Sequence, residues 1–210
     1  NQHWNDLLFV LSLASIVVGS VGAIVQSSIK RLLAYSSIAH MGFILVGLVS
    51  FSNLGLEGVM FYLIIYLFLL IGAFSVIMSL QKDDQPIELL SDLKGLSNNH
   101  PLLAVSFLIF MFAMAGIPPL SGFFGKWFVF YAAVDKGYYG LAVAGIIFSV
   151  VSAFYYLKII KIMFFENSDD QLTLDQNIEL KVVIYISLFI TCFVFLFLPI
   201  LQNFILQSLF

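Results

Sequence analysis

The chain has 210 residues, of which 61% are hydrophobic and only 10% charged, with a net charge of −3. Soluble domains carry roughly 25% charged residues, so an aqueous fold is excluded: the polar surface is too small to cover the apolar bulk. The negative balance supplies no basic patch for nucleic acid, and the lone cysteine, Cys192, excludes a disulfide framework or a cysteine-built metal site within the chain.

Six apolar stretches are long enough to cross a hydrocarbon layer of ~30 Å. They fall at 5–26, 32–51, 57–80, 102–134, 138–163 and 180–207. The expected fold is an all-α integral membrane bundle of about six transmembrane helices. The chain opens on Asn1, without a basic n-region or cleavage site, so the first stretch reads as a span rather than a signal peptide. We expect the chain to be part of a longer protein. Trp4 suits an interfacial anchor, and Asp6 and Glu57 fall near the outer ends of their spans, as exit-side groups or simply as solvated ones.

The second stretch is headed by Lys30 and Arg31 and contains Tyr35, Ser36, Ser37 and His40. Ser36 and Ser37 precede His40 by four and three residues, so the three share a helix face. A neutral imidazole accepts on one nitrogen and donates from the other, which suits either a hydrogen-bonded relay or a structural bond between helices. In the third and fifth stretches Tyr62/Tyr66 and Ser152/Tyr156 are four apart. Packing is the first reading of these pairs, with cross-helix hydrogen bonding the alternative.

The fourth stretch, 102–134, is too long for one straight span and contains Gly116-Ile117-Pro118-Pro119. Two prolines remove two backbone donors and crowd the preceding turn, and each disfavours helix in the residue before it. The expectation is a discontinuous helix, 102–115 and 120–134. Open backbone at membrane depth is tolerated only when buried in protein or lining a wet cavity, and transporters place such breaks beside ion sites. The bland alternative is a kink that only shapes packing. Lys126 follows two turns later, with eight residues, roughly 12 Å of helix, between it and Val134. A charged lysine near the bilayer centre costs about 2.5–3.5 kcal/mol. Burial favours the neutral amine, so such a group can bind and release a proton at cellular pH. Snorkelling to an interface is the alternative; Gly122 and Gly125 point instead to close helix packing.

The connections after the first, third and fifth spans carry Lys30, Arg31, Lys82, Lys94, Lys158, Lys161 and Lys181, and the opposite side only Lys136. Counting Lys and Arg alone places those connections, including the polar 81–100 segment and the acidic 166–181 one, in the cytoplasm or matrix. His3, His40 and His100 lack ligand spacing, so no metal site is expected.

Two motifs carry a resemblance. Lys30-Arg31-Leu32-Leu33-Ala34-Tyr35-Ser36-Ser37-Ile38-Ala39-His40-Met41-Gly42 resembles the signature of the antiporter-like membrane subunits of respiratory complex I. Ala115-Gly116-Ile117-Pro118-Pro119-Leu120-Ser121-Gly122-Phe123-Phe124-Gly125-Lys126 resembles the broken helix of the same family. The resemblance implies a second five-helix repeat over 1–163, then an acidic loop and last helix over 164–210, with the first repeat upstream. Lysine rather than glutamate at 126, and no long lateral helix after the last span, favour the subunit N branch. It implies a proton-translocating subunit of NADH:quinone oxidoreductase, enzymatic only as part of its complex. The proton relay would comprise Lys126, His40 and Lys30, the helix break Gly116, Pro118 and Pro119, and the polar axis Tyr35, Ser36, Ser37 and Glu57. The chain itself would bind no cofactor, with NADH, quinone, FMN and iron–sulfur clusters elsewhere in the complex. Its partners would be other complex I membrane subunits, including neighbouring antiporter-like ones. The location would be the cell inner membrane or, alternatively, the mitochondrial one. A multisubunit cation/proton antiporter shares these motifs, and a non-transporting scaffold subunit is the remaining alternative.

Overall fold

The computed structural model describes residues 2–82, 85–167, 172–174 and 177–209. In chain order these form α1 (Gln2–Ile24), α2 (Ile29–Val49), α3 (Asn53–Met78), β1 (Leu80–Lys82), β2 (Gln85–Pro86), α4 (Leu96–Asn99), α5 (Pro101–Ala115), α6 (Ser121–Asp135), α7 (Tyr139–Phe165), β3 (Thr173–Leu174), α8 (Ile178–Phe193) and α9 (Leu198–Leu209). Among the described residues five runs are long and apolar enough to cross a membrane: α1, α2, α3, α7 and α8–α9. α5 is a shorter apolar helix, and α6 follows it across the break.

Helices α2 and α3 occupy the middle of the bundle, with 61% and 56% of their apolar windows buried, against 28% for α1 and 22% for α8–α9. Tyr62, Phe43, Phe61, Tyr155 and Tyr156 fill the space around them. The outer helices present Val10, Val18, Val150 and Phe189 outward, as surfaces facing lipid or further protein do. Lipid tails give helices no hydrophobic drive to associate, so small residues that allow close approach decide the contacts. A side chain on Gly19 would run into the Tyr35 carbonyl and the Ala39 nitrogen, and one on Gly42 into Ile16. Ser12 Oγ donates to the Gly42 carbonyl at 2.9 Å across the same interface.

Polar backbone closes one end of the bundle. β1 pairs antiparallel with both β2 and β3, giving the order β2-β1-β3. Ile29 N donates to Glu88 O at 3.0 Å, Leu90 N to Ser27 O at 2.8 Å and Gly95 N to Glu166 O at 2.9 Å. These bonds tie together the α1–α2, α3–α5 and α7–α8 connections on one face, the grouping expected from the distribution of basic residues. Lys94 pairs with Glu166 there at 3.3 Å; at such exposure the pair contributes at most about 1 kcal/mol. Asp83, Asp84, Asp169, Asp170 and Asp175, part of the predicted polar and acidic segments, lie outside the described residues.

The last span, over 180–207 in the sequence, is one apolar run in the structure, interrupted where α8 gives way to a 3-10 turn, Val194–Phe197, before α9. Pro199 is the physical reason: it has no N–H to donate four residues back, and its ring crowds that carbonyl.

Replacing Gly19 with valine should separate α1 from α2 and destabilise the protein by about 1–3 kcal/mol. Thermal unfolding in detergent reads the change. Gly140→Ala, with nothing within 4 Å of the added carbon, should cause no loss.

Candidate functional site

The break in the fourth span is built from α5's own terminus. Gly116 takes φ 90°, a left-handed conformation that glycine adopts without steric cost. Its N–H donates to the Ala113 carbonyl at 3.0 Å, and Ile117 N donates to Phe112 O at 3.0 Å. This pattern satisfies two of the carbonyls a helix end leaves without partners. Pro118 and Pro119, joined by a cis peptide, then carry the chain to Ser121, where α6 begins. The boundaries match the expected 102–115 and 120–134. Gly122 lets the first turn of α6 lie on the Ala113 carbonyl, where a side chain would collide.

Among the described residues no backbone donor meets the last two carbonyls of α5, at Met114 and Ala115, and Lys126 does. Its Nζ donates to Met114 O at 3.0 Å, to Ala115 O at 3.0 Å and to Ser149 Oγ on α7 at 2.8 Å. Three acceptors match the three donors of an ammonium. The Phe43 ring lies 5.1 Å beneath the nitrogen, within cation–π range. The residue is only 5% exposed, and its amine turns back onto the end of α5. The stem passes over Gly116, where a β-carbon would stand 3.1 Å from Cδ and 3.2 Å from Nζ. Two opposing effects therefore meet at this amine. The negative end of α5 and its carbonyls stabilise the charged form, while removal from water disfavours it.

Lys126 also lines a cleft of about 560 Å³ between α6 and α7, with Trp127, Tyr131, Ile146, Ser149 and Val150.

A second polar cluster surrounds His40, 2% exposed at the middle of α2. Nδ1 is 2.9 Å from the Tyr62 hydroxyl and Nε2 2.9 Å from that of Tyr156, which also hydrogen-bonds Ser36. Tyr66 stacks on the imidazole at 4.5 Å and donates to Ser37 Oγ at 2.8 Å. Tyr62, Tyr66 and Tyr156 thus hydrogen-bond across helices as well as packing. No hydrogen bond joins His40 to Lys126 among the described residues. Phe43 touches both, packing edge-on to the imidazole at 6.0 Å.

The other sequence candidates fall outside these two clusters. Lys30 is exposed in the first turn of α2, about 15 Å of helix from His40. Tyr35 packs its ring on Gly22 of α1. Glu57 is half-buried and lines a separate cavity of about 300 Å³ with Gln202. Ser149 was missed, as was the central place of Tyr156. Their signal was present: Ser149, Ser152 and Tyr156 follow i, i+3, i+7 spacing, a polar stripe on the apolar helix α7. Ser152 uses it to meet Ser20 of α1 at 3.0 Å.

Tyr156→Phe should leave His40 and Ser36 short of a buried partner and cost about 1–3 kcal/mol in thermal unfolding. Gly116→Ala should cost about 1–2 kcal/mol from left-handed backbone alone. It should also push the Lys126 amine off the Met114 and Ala115 carbonyls, a displacement visible in a high-resolution map of the variant.

A family described as NADH:quinone oxidoreductase/Mrp antiporter, transmembrane, matches residues 1–152. NADH-quinone oxidoreductase subunit N of Rhodospirillum rubrum is 45% identical over 183 residues, covering 87% of this chain and 38% of that protein. Its counterpart in Pelagibacter ubique is 43% identical over 196 residues, covering 93% and 42%. The chain spans about two fifths of the length of these curated relatives. Among solved structures, a chain of Thermus thermophilus respiratory complex I with bound aureothin has a TM-score of 0.79 at 33% identity, covering 92% of this chain and 45% of its own length. A chain of the Mrp complex from a Dietzia species has a TM-score of 0.68 at 28% identity, covering 80% and 31%. With the match extending over most of its residues, the chain belongs to the transmembrane family shared by NADH:quinone oxidoreductases and Mrp antiporters.

Proposed function

We propose that this chain is the C-terminal portion of a proton-translocating subunit of NADH:quinone oxidoreductase, with Lys126 as the group that takes up and releases the proton. The carrying observation is the amine's position: buried, bonded to the open end of α5, and bordering a cleft. Residues 1–163 are the second antiporter-like repeat and 164–210 the loop and closing span. His40, held between two tyrosine hydroxyls, is the second relay member. Lys30 marks the basic head of the motif, and Tyr35, Ser36, Ser37 and Glu57 border the polar axis. Gly116, Pro118 and Pro119 hold the break open. The subunit works in the cell inner membrane beside other complex I membrane subunits; NADH, quinone, FMN and iron–sulfur chemistry belong elsewhere in the complex.

The energetics are of suitable size. Moving one charge against 100 mV costs about 2.3 kcal/mol, and a hundredfold change in proton affinity supplies ~2.7 kcal/mol. Movement of α6 relative to the α5 carbonyls would remove acceptors that favour the charged amine and so change its proton affinity.

The likeness to the Mrp complex supports a second reading, a cation/proton antiporter subunit. Co-purification of the full-length protein with NADH dehydrogenase activity favours the first reading, and sodium-dependent proton exchange without that activity favours the second.

In assembled complex, Lys126→Ala and Lys126→Met should each reduce proton pumping at least tenfold per complex. Pumping is measured as dye quenching in inverted vesicles and assembly on native gels. Unchanged pumping with normal assembly would remove Lys126 from the mechanism, and a loss confined to assembly would leave only a scaffold role.

A further inference from the structure

We propose that Phe43 on α2 is a positioning residue for the Lys126 amine: the face of its ring attracts the charged form and so tightens the hold on the proton; this rests on the reading of Lys126 as the proton-binding group. The amine lies over that face, 5.1 Å from the ring centroid, where the quadrupole of an aromatic ring draws a cation. The polar contacts discriminate less between the two protonation states. A neutral amine keeps two N–H donors, so Met114 O and Ala115 O can accept from either form. Ser149 Oγ can turn from acceptor to donor when the nitrogen gains a lone pair. The ring has no such second use: its attraction is to the positive charge and goes when the charge goes. Among the described residues no carboxylate lies within ion-pair distance of Lys126, so the ring face takes over part of what a counter-ion would do.

Packing fixes the ring for this use. Phe43 is fully enclosed, and a cation–π contact is stronger away from solvent than at an exposed site. Phe130 of α6 meets the ring at 5.9 Å and 89°. His40, one turn earlier on α2, meets it at 6.0 Å and 89°. These two T-shaped contacts hold the ring plane against rotation, with its face left to the amine. The charged group is thus held by three helices besides its own: α5 through two carbonyls, α7 through Ser149 and α2 through Phe43. Weakening the ring face while keeping its bulk leaves the hydrogen bonds in place and loosens the proton.

The test measures proton pumping per assembled complex across a range of pH, by dye quenching in inverted vesicles. Phe43 is replaced by mono-, di- and trifluorinated phenylalanine, which drain the ring face stepwise at nearly constant shape, and by leucine, which removes it. With a weaker hold, the amine loses its proton at lower pH. The alkaline half-maximum of pumping should therefore move down with each added fluorine. In Phe43→Leu it should move down by about 0.7 to 1.5 pH units, corresponding to about fivefold to thirtyfold in proton affinity. Trifluorination of Phe107, an equally enclosed ring on α5 with no cation–π contact among the described residues, should not move it. A rate that drops equally at every pH, with the half-maximum in place, would show packing alone and overturn the Phe43 proposal. So would a shift that ignores the number of fluorines, or one matched by the Phe107 control. Should Phe43→Leu not assemble, the fluorinated series decides by the same criteria. If Lys126→Ala pumps normally in the same vesicles, the reading of Lys126 itself fails and the role of Phe43 falls with it.

Discussion

The architecture around the fourth span depends on one electrostatic match: a lysine amine meeting the unpaired carbonyls of a half-helix. A helix end inside a membrane leaves four carbonyls without partners, each costly in hydrocarbon. In α5 the Gly116 turn satisfies two, and Lys126 returns from α6 to satisfy the last two. The break and the lysine therefore stabilise each other. The open helix end offers negative potential that offsets the burial of the charge, and the charge supplies the donors that the open end requires.

The surrounding small residues follow from that match. Gly116 turns the chain and clears a path for the lysine stem; Gly122 seats the first turn of α6 on a carbonyl; Gly125 leaves room for the Tyr62 ring. Tyr62 in turn reaches His40, so the packing of α6 sets the geometry of the histidine cluster. Among the described residues no hydrogen bond joins the two polar clusters, and Phe43 packs against both.

The polar end of the bundle plays a different part. Its three connections are joined by backbone hydrogen bonds and a small three-stranded sheet, so the ends of α1, α3 and α7 are held in fixed relation. Backbone groups that leave the membrane need partners as much as those inside it, and pairing between connections satisfies them while bracing the spans.

By itself, the sequence determined the membrane class, the five long apolar runs, the break at Gly116-Ile117-Pro118-Pro119 and a lysine two turns beyond it. These depend on local chemistry: apolar length, missing backbone donors, and the cost of a cation in hydrocarbon. The grouping of three connections on one face was also legible, through the bias of Lys and Arg. Tertiary structure alone decided what the amine bonds to, because Met114, Ala115 and Ser149 are eleven to twenty-three residues away and meet only when α5, α6 and α7 pack. The same holds for Tyr156 and His40, 116 residues apart, and for the sheet, whose strands of two and three residues are too short to show a period. Helical spacing tells which side chains share a face; it does not tell which other face they will meet.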